Sequence, residues 1–231
     1  MRIDGRKNDE LRRIKFTKDY TKNALGSVLV EFGDTKVIVC ASFENAIPKW
    51  MDKESTEGWL SAEYSLLPSS TSIRCQRERT KISGRTQEIQ RLIGRSLRAC
   101  LDLTKIKGKT FIIDADVIQA DGGTRTASIC GAFVAVKIMV EKLLAQGLID
   151  QNPIIESIGA ISAGIVDNSV MVDLCYVEDS SAQVDSNIVL TSSGKIIEFQ
   201  TTAEGAPFEK EQMDEIFSLA KSSIEKIIKM Y

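Results

Sequence analysis

The stretch from Lys109 to Gly147 restricts the fold more than any other part of the chain. Lys109–Gln119 is largely apolar and has the length of a strand, and Asp121-Gly122-Gly123 then breaks the backbone. Thr124 to Ala145 follows as a long apolar helix that Gly147 ends. A strand passing through a glycine turn directly into a helix predicts sheet-and-helix layering.

The flanking segments carry the same vocabulary. Leu25 to Ser42 is a hairpin: Val28 and Val30 alternate with Leu29 and Glu31, and Gly33-Asp34 supplies the turn. A strand is expected at Leu60–Leu66, then an exposed loop from Pro68 through an arginine-rich stretch to Gly84. A helix is predicted over Thr86–Leu103, with Ile89, Leu92, Ile93, Leu97, Cys100 and Leu101 on one side and Arg91, Arg95 and Arg98 on the other. The C-terminal half repeats the order: a hairpin from Ser157 to Tyr176 turning at Asp167-Asn168, strands at Val184–Thr191 and Lys195–Thr202, and an amphipathic helix over Glu209–Met230. The predicted class is α+β, with two similar βαβα-type halves, residues 10–145 and 155–230, packed as one unit over 1–231.

Composition narrows the chemistry. There is no histidine among the 231 residues, which excludes serine and cysteine triads, zincins and imidazole acid–base pairs. Catalysis must then run on carboxylates, arginines, hydroxyls or a metal held by oxygen. Five cysteines, scattered and with no CxxC pair, argue against disulfides and zinc. No apolar run has the length of a membrane span and the N-terminus is crowded with charges, so a cytoplasmic protein without membrane contact is expected. Net charge is only −2, yet Arg74–Arg98 holds eight basic residues against Glu78 and Glu88. A basic patch on an acidic body predicts a confined polyanion site.

Four constellations carry possible chemistry. Gly123, Thr124 and Arg125, opening a helix, suit an anion, through free N–H groups and a planar guanidinium; a tight turn with a Thr cap would look the same. Arg85 lies at a second helix N-terminus, where a cation opposes the helix dipole unless an anion is bound; a solvated arginine is the plain alternative. Asp173, Glu178, Asp179 and Asp185 form a carboxylate group of the kind that suits Mg²⁺ or Mn²⁺, or else a charged loop at a sheet edge. Arg74, Arg77 and Arg79 could neutralise a phosphodiester backbone or merely be solvated, and no aromatic residue from Arg74 to Arg98 offers a base-stacking surface.

Taken together these segments resemble the ribonuclease PH family of phosphate-dependent exoribonucleases. The likeness runs through Met1–Arg6, Gly26–Thr35, Ser83–Arg95, Asp114–Ala127 and Glu178–Asn187, and so covers nearly the whole chain. It implies the ribosomal protein S5 domain 2-like, ribonuclease PH fold in a hexameric ring, a trimer of dimers. It implies that Arg85, Gly123, Thr124 and Arg125 bind phosphate, that Asp179 and Asp185 serve in catalysis and hold Mg²⁺ or Mn²⁺, and that Arg74, Arg77 and Arg79 guide RNA. The implied reaction is phosphate-dependent 3′-5′ trimming of RNA, chiefly tRNA precursors with 3′ extensions, with inorganic phosphate as co-substrate and nucleoside 5′-diphosphates as products. Two departures are visible: Arg13 stands where the family usually places proline after Leu-Arg, and the C-terminus ends early, at Tyr231. The rival reading is a non-catalytic RNA-binding ring subunit, against which stands the retention of both arginines and both aspartates.

Overall fold

The structure, a computed structural model, describes residues 2–231 and consists of two sheets and four α-helices in layers. The first sheet contains β1 (Ile14–Lys18), β2 (Gly26–Phe32), β3 (Thr35–Glu44), β4 (Trp59–Leu66) and β5 (Thr110–Gln119), in the order β1-β2-β3-β5-β4. Only β4 and β5 run parallel, joined by a crossover that includes α1 (Gly84–Ala99). The second sheet has the order β7-β6-β8-β9, from β6 (Ile158–Val166), β7 (Ser169–Val172), β8 (Val184–Thr191) and β9 (Ile196–Ala203), all antiparallel.

Helix α2 (Thr124–Ala145) lies between the sheets, packed on β2 and β3 on one side and on β6 on the other. A helix covered on two sides needs apolar residues almost all round, which is why this segment lacks a polar face. Contact is close because β2 opens with Gly26: a Cβ there would fall 1.9 Å from the Ala135 carbonyl oxygen. α4 (Lys210–Ile228) covers the far face of the second sheet. With α2 on one face and α4 on the other, every residue of β6 is buried. Phe16, Phe133 and Tyr231 pack ring against ring. No helix among the described residues is long and apolar enough to cross a membrane.

Both hairpins turn where expected, the second with Asp167 and Asn168 at φ 48° and 57°, the left-handed pair that matches strand twist. Four expectations change. α1 begins at Gly84, capped by Ser83, whose hydroxyl accepts from Thr86 N–H, so Arg85 sits inside the first turn rather than ahead of it. The same helix stops at Ala99, because Asp102 caps a separate 3-10 turn over Leu103–Ile106. The carboxylate segment expected as a loop contains α3 (Tyr176–Ser180), and β1 precedes the predicted first hairpin. Both missed elements have five residues, too short for periodicity to declare itself.

Candidate active site

The loop entering α2 adopts a conformation that only its glycines permit cheaply. Gly122 and Gly123 sit consecutively at φ +71° and +66°. A Cβ on Gly122 would lie 2.5 Å from the Leu174 carbonyl oxygen, so this loop touches the backbone leading into α3. Thr35, at the start of β3, accepts from Asp121 N–H at 2.9 Å and donates to the Gly122 carbonyl at 2.6 Å. Arg12 donates to the Asp121 carbonyl at 2.5 Å. The N–H groups of Gly122, Gly123, Thr124 and Arg125 meet no acceptor among the described residues. They form a nest of free donors at the positive end of a 22-residue helix.

Two cations, Arg125 at the nest itself and Arg85 of α1, act electrostatically on the groups around it. Arg125 is held by Glu88 of α1 at 3.2 Å, and Gln200 of β9 reaches the other Glu88 oxygen at 3.5 Å. The Arg125 Nε is buried with no partner. Arg85, exposed in the first turn of α1, has no carboxylate partner among the described residues and no acidic residue beside it in that turn. A cation there is unfavourable to the helix by itself. Tyr64 donates to the Thr124 hydroxyl at 2.9 Å, and burial pushes its phenol up while that bond and the charges of Arg85 and Arg125 oppose the shift.

The structure brings Asp179 of α3 and Asp185 of β8 into the same electrostatic neighbourhood. Burial pushes the Asp179 carboxyl up, and the charges of Arg125, Arg85 and Arg12 only partly offset it. The Asp185 carboxyl is raised by burial first and by the charge of Asp179 second, with Arg125 and Arg85 again opposing. Four groups from α1, α2, α3 and β8 thus influence one another across the two halves. Asp173 and Glu178, grouped with them by sequence, are otherwise engaged. Arg2 grips Glu178 with two bonds of 2.8 and 2.6 Å, and Arg12 holds Asp173 through its guanidinium and its own N–H, each at 2.7 Å. Those two carboxylates anchor the N-terminal arm onto the second half and are not available to a metal.

A divalent cation fits what remains. Asp179 and Asp185 make no hydrogen bond or ion pair through their side chains among the described residues, and their partial burial leaves the two charges mutually repelling. Mg²⁺ commonly takes one or two carboxylates and completes its shell with water and substrate phosphate. No cluster of three or more candidate ligands occurs among the described residues, so the pair would form an open site rather than a closed cage.

Arg74, Arg77 and Arg79 are exposed in the loop between β4 and α1, without carboxylate partners among the described residues. The base of this loop is tied to the site by the bond from Ala120 N–H to the Ser70 carbonyl, 2.8 Å. The basic segment is less free than its composition implies, because Arg95 pairs with Glu198 at 3.0 Å and Arg98 stacks on Trp59, 4.7 Å from the ring centroid. Arg12, Thr35, Tyr64 and Glu88 were invisible as site residues. Their partners lie far away in the chain, and none sits in a motif of its own.

A family model described as 3′ exoribonuclease family, domain 1, matches residues 10–140, and its companion, domain 2, matches residues 156–223. Among solved structures the chain is similar to rice (Oryza sativa) Rrp46, with 19% identity, TM-score 0.80, and coverage of 99% of this chain and 98% of that one. It is similar to a chain of the Archaeoglobus fulgidus exosome with RNA bound to the active site, with 22% identity, TM-score 0.84, and coverage of 99% and 91%. An archaeal exosome core chain gives 22% identity, TM-score 0.80, and coverage of 99% and 90%. At such identities these likenesses establish the fold.

Proposed function

Because the chain belongs to the ribonuclease PH family, the 3′ exoribonuclease family whose two domains it carries, we propose that it shortens RNA from the 3′ end by phosphorolysis. The observation that carries the reading is the convergence of Arg85 and Arg125, beside a nest of free N–H groups, with the raised carboxyls of Asp179 and Asp185. The arginines and free N–H groups attract anions, and the two carboxyls offer hard oxygen ligands or a proton. That pairing suits a reaction in which one phosphate attacks another.

In the proposed reaction inorganic phosphate rests on Arg85, Arg125 and the N–H groups of Gly123 and Thr124. One of its oxygens attacks the last phosphodiester, the bond to the 3′ oxygen breaks, and a nucleoside 5′-diphosphate leaves. Phosphate is already an anion at neutral pH, so no imidazole is needed to make the nucleophile. The protein must hold two repelling anions in line and neutralise the charge that develops between them. Asp179 and Asp185 would hold Mg²⁺ or Mn²⁺, which supplies charge neutralisation when bound. A carboxyl of that pair in its protonated form delivers the proton to the departing 3′ oxygen, a task for which a raised pKa is suited. The reaction exchanges bonds of similar energy and runs backward as nucleotide addition.

The substrates we assign are tRNA precursors with 3′ extensions, in the cytoplasm, guided by Arg74, Arg77 and Arg79. We assign assembly as a homohexamer, a trimer of dimers. Its support in the monomer is the β4–β5 face turned away from α2, where Glu63, Asp114 and Asp116 pair with no cation among the described residues and the Asp114 carboxyl is raised by burial and then by its two neighbours. The unpaired arginine loop lies beside that face, near Ser65 and Leu66. Adjacent patches of opposite sign are self-complementary under a two-fold axis.

The test is incubation of 3′-labelled RNA with protein, Mg²⁺ and phosphate. Nucleoside diphosphates are expected, and Arg85→Ala should remove about 2–4 kcal/mol of transition-state stabilisation, lowering the rate roughly 30- to 10³-fold. Monophosphates released without added phosphate would show a hydrolase instead. RNA binding with no product at all would establish the other reading, a non-catalytic RNA-binding ring subunit.

A further inference from the structure

We infer that Arg12 is a positioning residue of the phosphate pocket, which fixes the direction of its N–H donors without touching the anion. The inference rests on the phosphate site proposed above. Arg12 comes from the N-terminal arm, and its side chain is 5% exposed. Its stem lies along Gly33, whose missing Cβ would fall 2.6 Å from Arg12 Cδ. One guanidinium then spans the two halves of the molecule. Nη1 donates to the Asp121 carbonyl at 2.5 Å; Nη2 donates to Asp173 at 2.7 Å and to the Gly122 carbonyl at 3.5 Å. Asp173 is fully buried, and its second oxygen accepts from the Arg12 N–H, so the anchor has little freedom.

The consequence follows from peptide planarity. In a trans peptide the carbonyl and the following N–H point in opposite directions. Turning the Asp121 carbonyl toward Arg12 therefore aims the Gly122 N–H away from it. Holding the Gly122 carbonyl between Arg12 and Thr35 aims the Gly123 N–H in the same manner. Two glycines in the left-handed region have many alternative conformations, and without this clamp the donors would have to be ordered each time phosphate bound. Arg12 thus removes an ordering cost from phosphate binding and leaves RNA binding alone.

The experiment is calorimetric titration of the full-length protein with inorganic phosphate, together with separate KM values for phosphate and for RNA. Arg12→Met should weaken phosphate binding roughly tenfold or more, the scale set by losing bonds to a charged donor, while the KM for RNA stays within about twofold. Thr35→Val, nearly isosteric and removing the other bond to the Gly122 carbonyl, should give the same selective loss, and it serves if Arg12→Met does not fold. Arg12→Lys should recover only part of the affinity, because an ammonium lacks the fork that spans Asp121 and Asp173. Unchanged phosphate affinity in the Met and Val variants, or an equal rise in both KM values, would overturn the inference. Absence of phosphate binding by the unaltered protein would instead sink the proposed function.

Discussion

At the scale of single residues, burial raises the Asp185 carboxyl, and the charge of Asp179 raises it further, so the fold bears these two anions at a cost near neutral pH. A carboxyl whose folded pKa is raised favours folding only while it is protonated. That contribution is full below the unfolded value and is lost as pH rises through the folded one. Replacing the charge should therefore stabilise. Asp185→Asn, melted at pH 7 in a chelator, is expected to gain about 2–4 °C, the shift that ~1 kcal/mol gives a chain of this size, while losing phosphorolysis. The gain should vanish as pH falls below the ordinary carboxylate range, where the wild-type group is neutral too. A lower melting temperature at pH 7 would mean that the aspartate is a structural anchor, as Asp173 is.

At the scale of elements, α2 is the piece on which both sheets rest, and its distance from β2 is set by glycine. The oxygen that a Cβ on Gly26 would strike belongs to the helix backbone at Ala135, with Met139 N 3.0 Å away, so no side-chain rotation can relieve the clash. Gly26→Ala should cost about 3 kcal/mol in urea unfolding, at the upper end of overpacking penalties, and should also reduce activity, because the same helix carries Arg125. Unaltered stability would show that β2 and α2 can slide apart. Local periodicity made α4 and both hairpins readable, and α2 was legible as a long apolar run between glycine breaks. Periodicity could not reveal α3, whose five residues are helical because a Cys175–Glu178 capping box and the Arg2 grip hold them there.

At the scale of the whole molecule, the charges that matter are those left unpaired within one chain. The acidic face of Glu63, Asp114 and Asp116 beside the arginine loop predicts a two-fold contact in which each loop meets the other copy's carboxylates. Glu63→Lys and, separately, Arg77→Glu should each lower the assembled mass in light scattering, and equal mixing of the two variants should restore part of it. Full assembly of both variants alone would remove this face from the interface. High salt should act in the same direction as the substitutions, since exposed pairs are screened beyond a Debye length of about 10 Å at 0.1 M.

What the amino-acid order determined by itself is what short-range physics controls. The α+β class followed from spacing, the glycine turn before α2 from conformational freedom, and the exclusion of imidazole chemistry from composition. The meeting of parts was decided only in three dimensions. Arg12 finds Asp121 across 109 positions, Thr35 finds Gly122 across 87, Tyr64 finds Thr124 across 60, and Arg125 finds Glu88 across 37. The same closure sorted four similar carboxylates into two that bind arginines and two left free beside the anion nest. No local signal separates them, because a carboxylate's role depends on which charges the folded chain brings within reach and how much water it takes away.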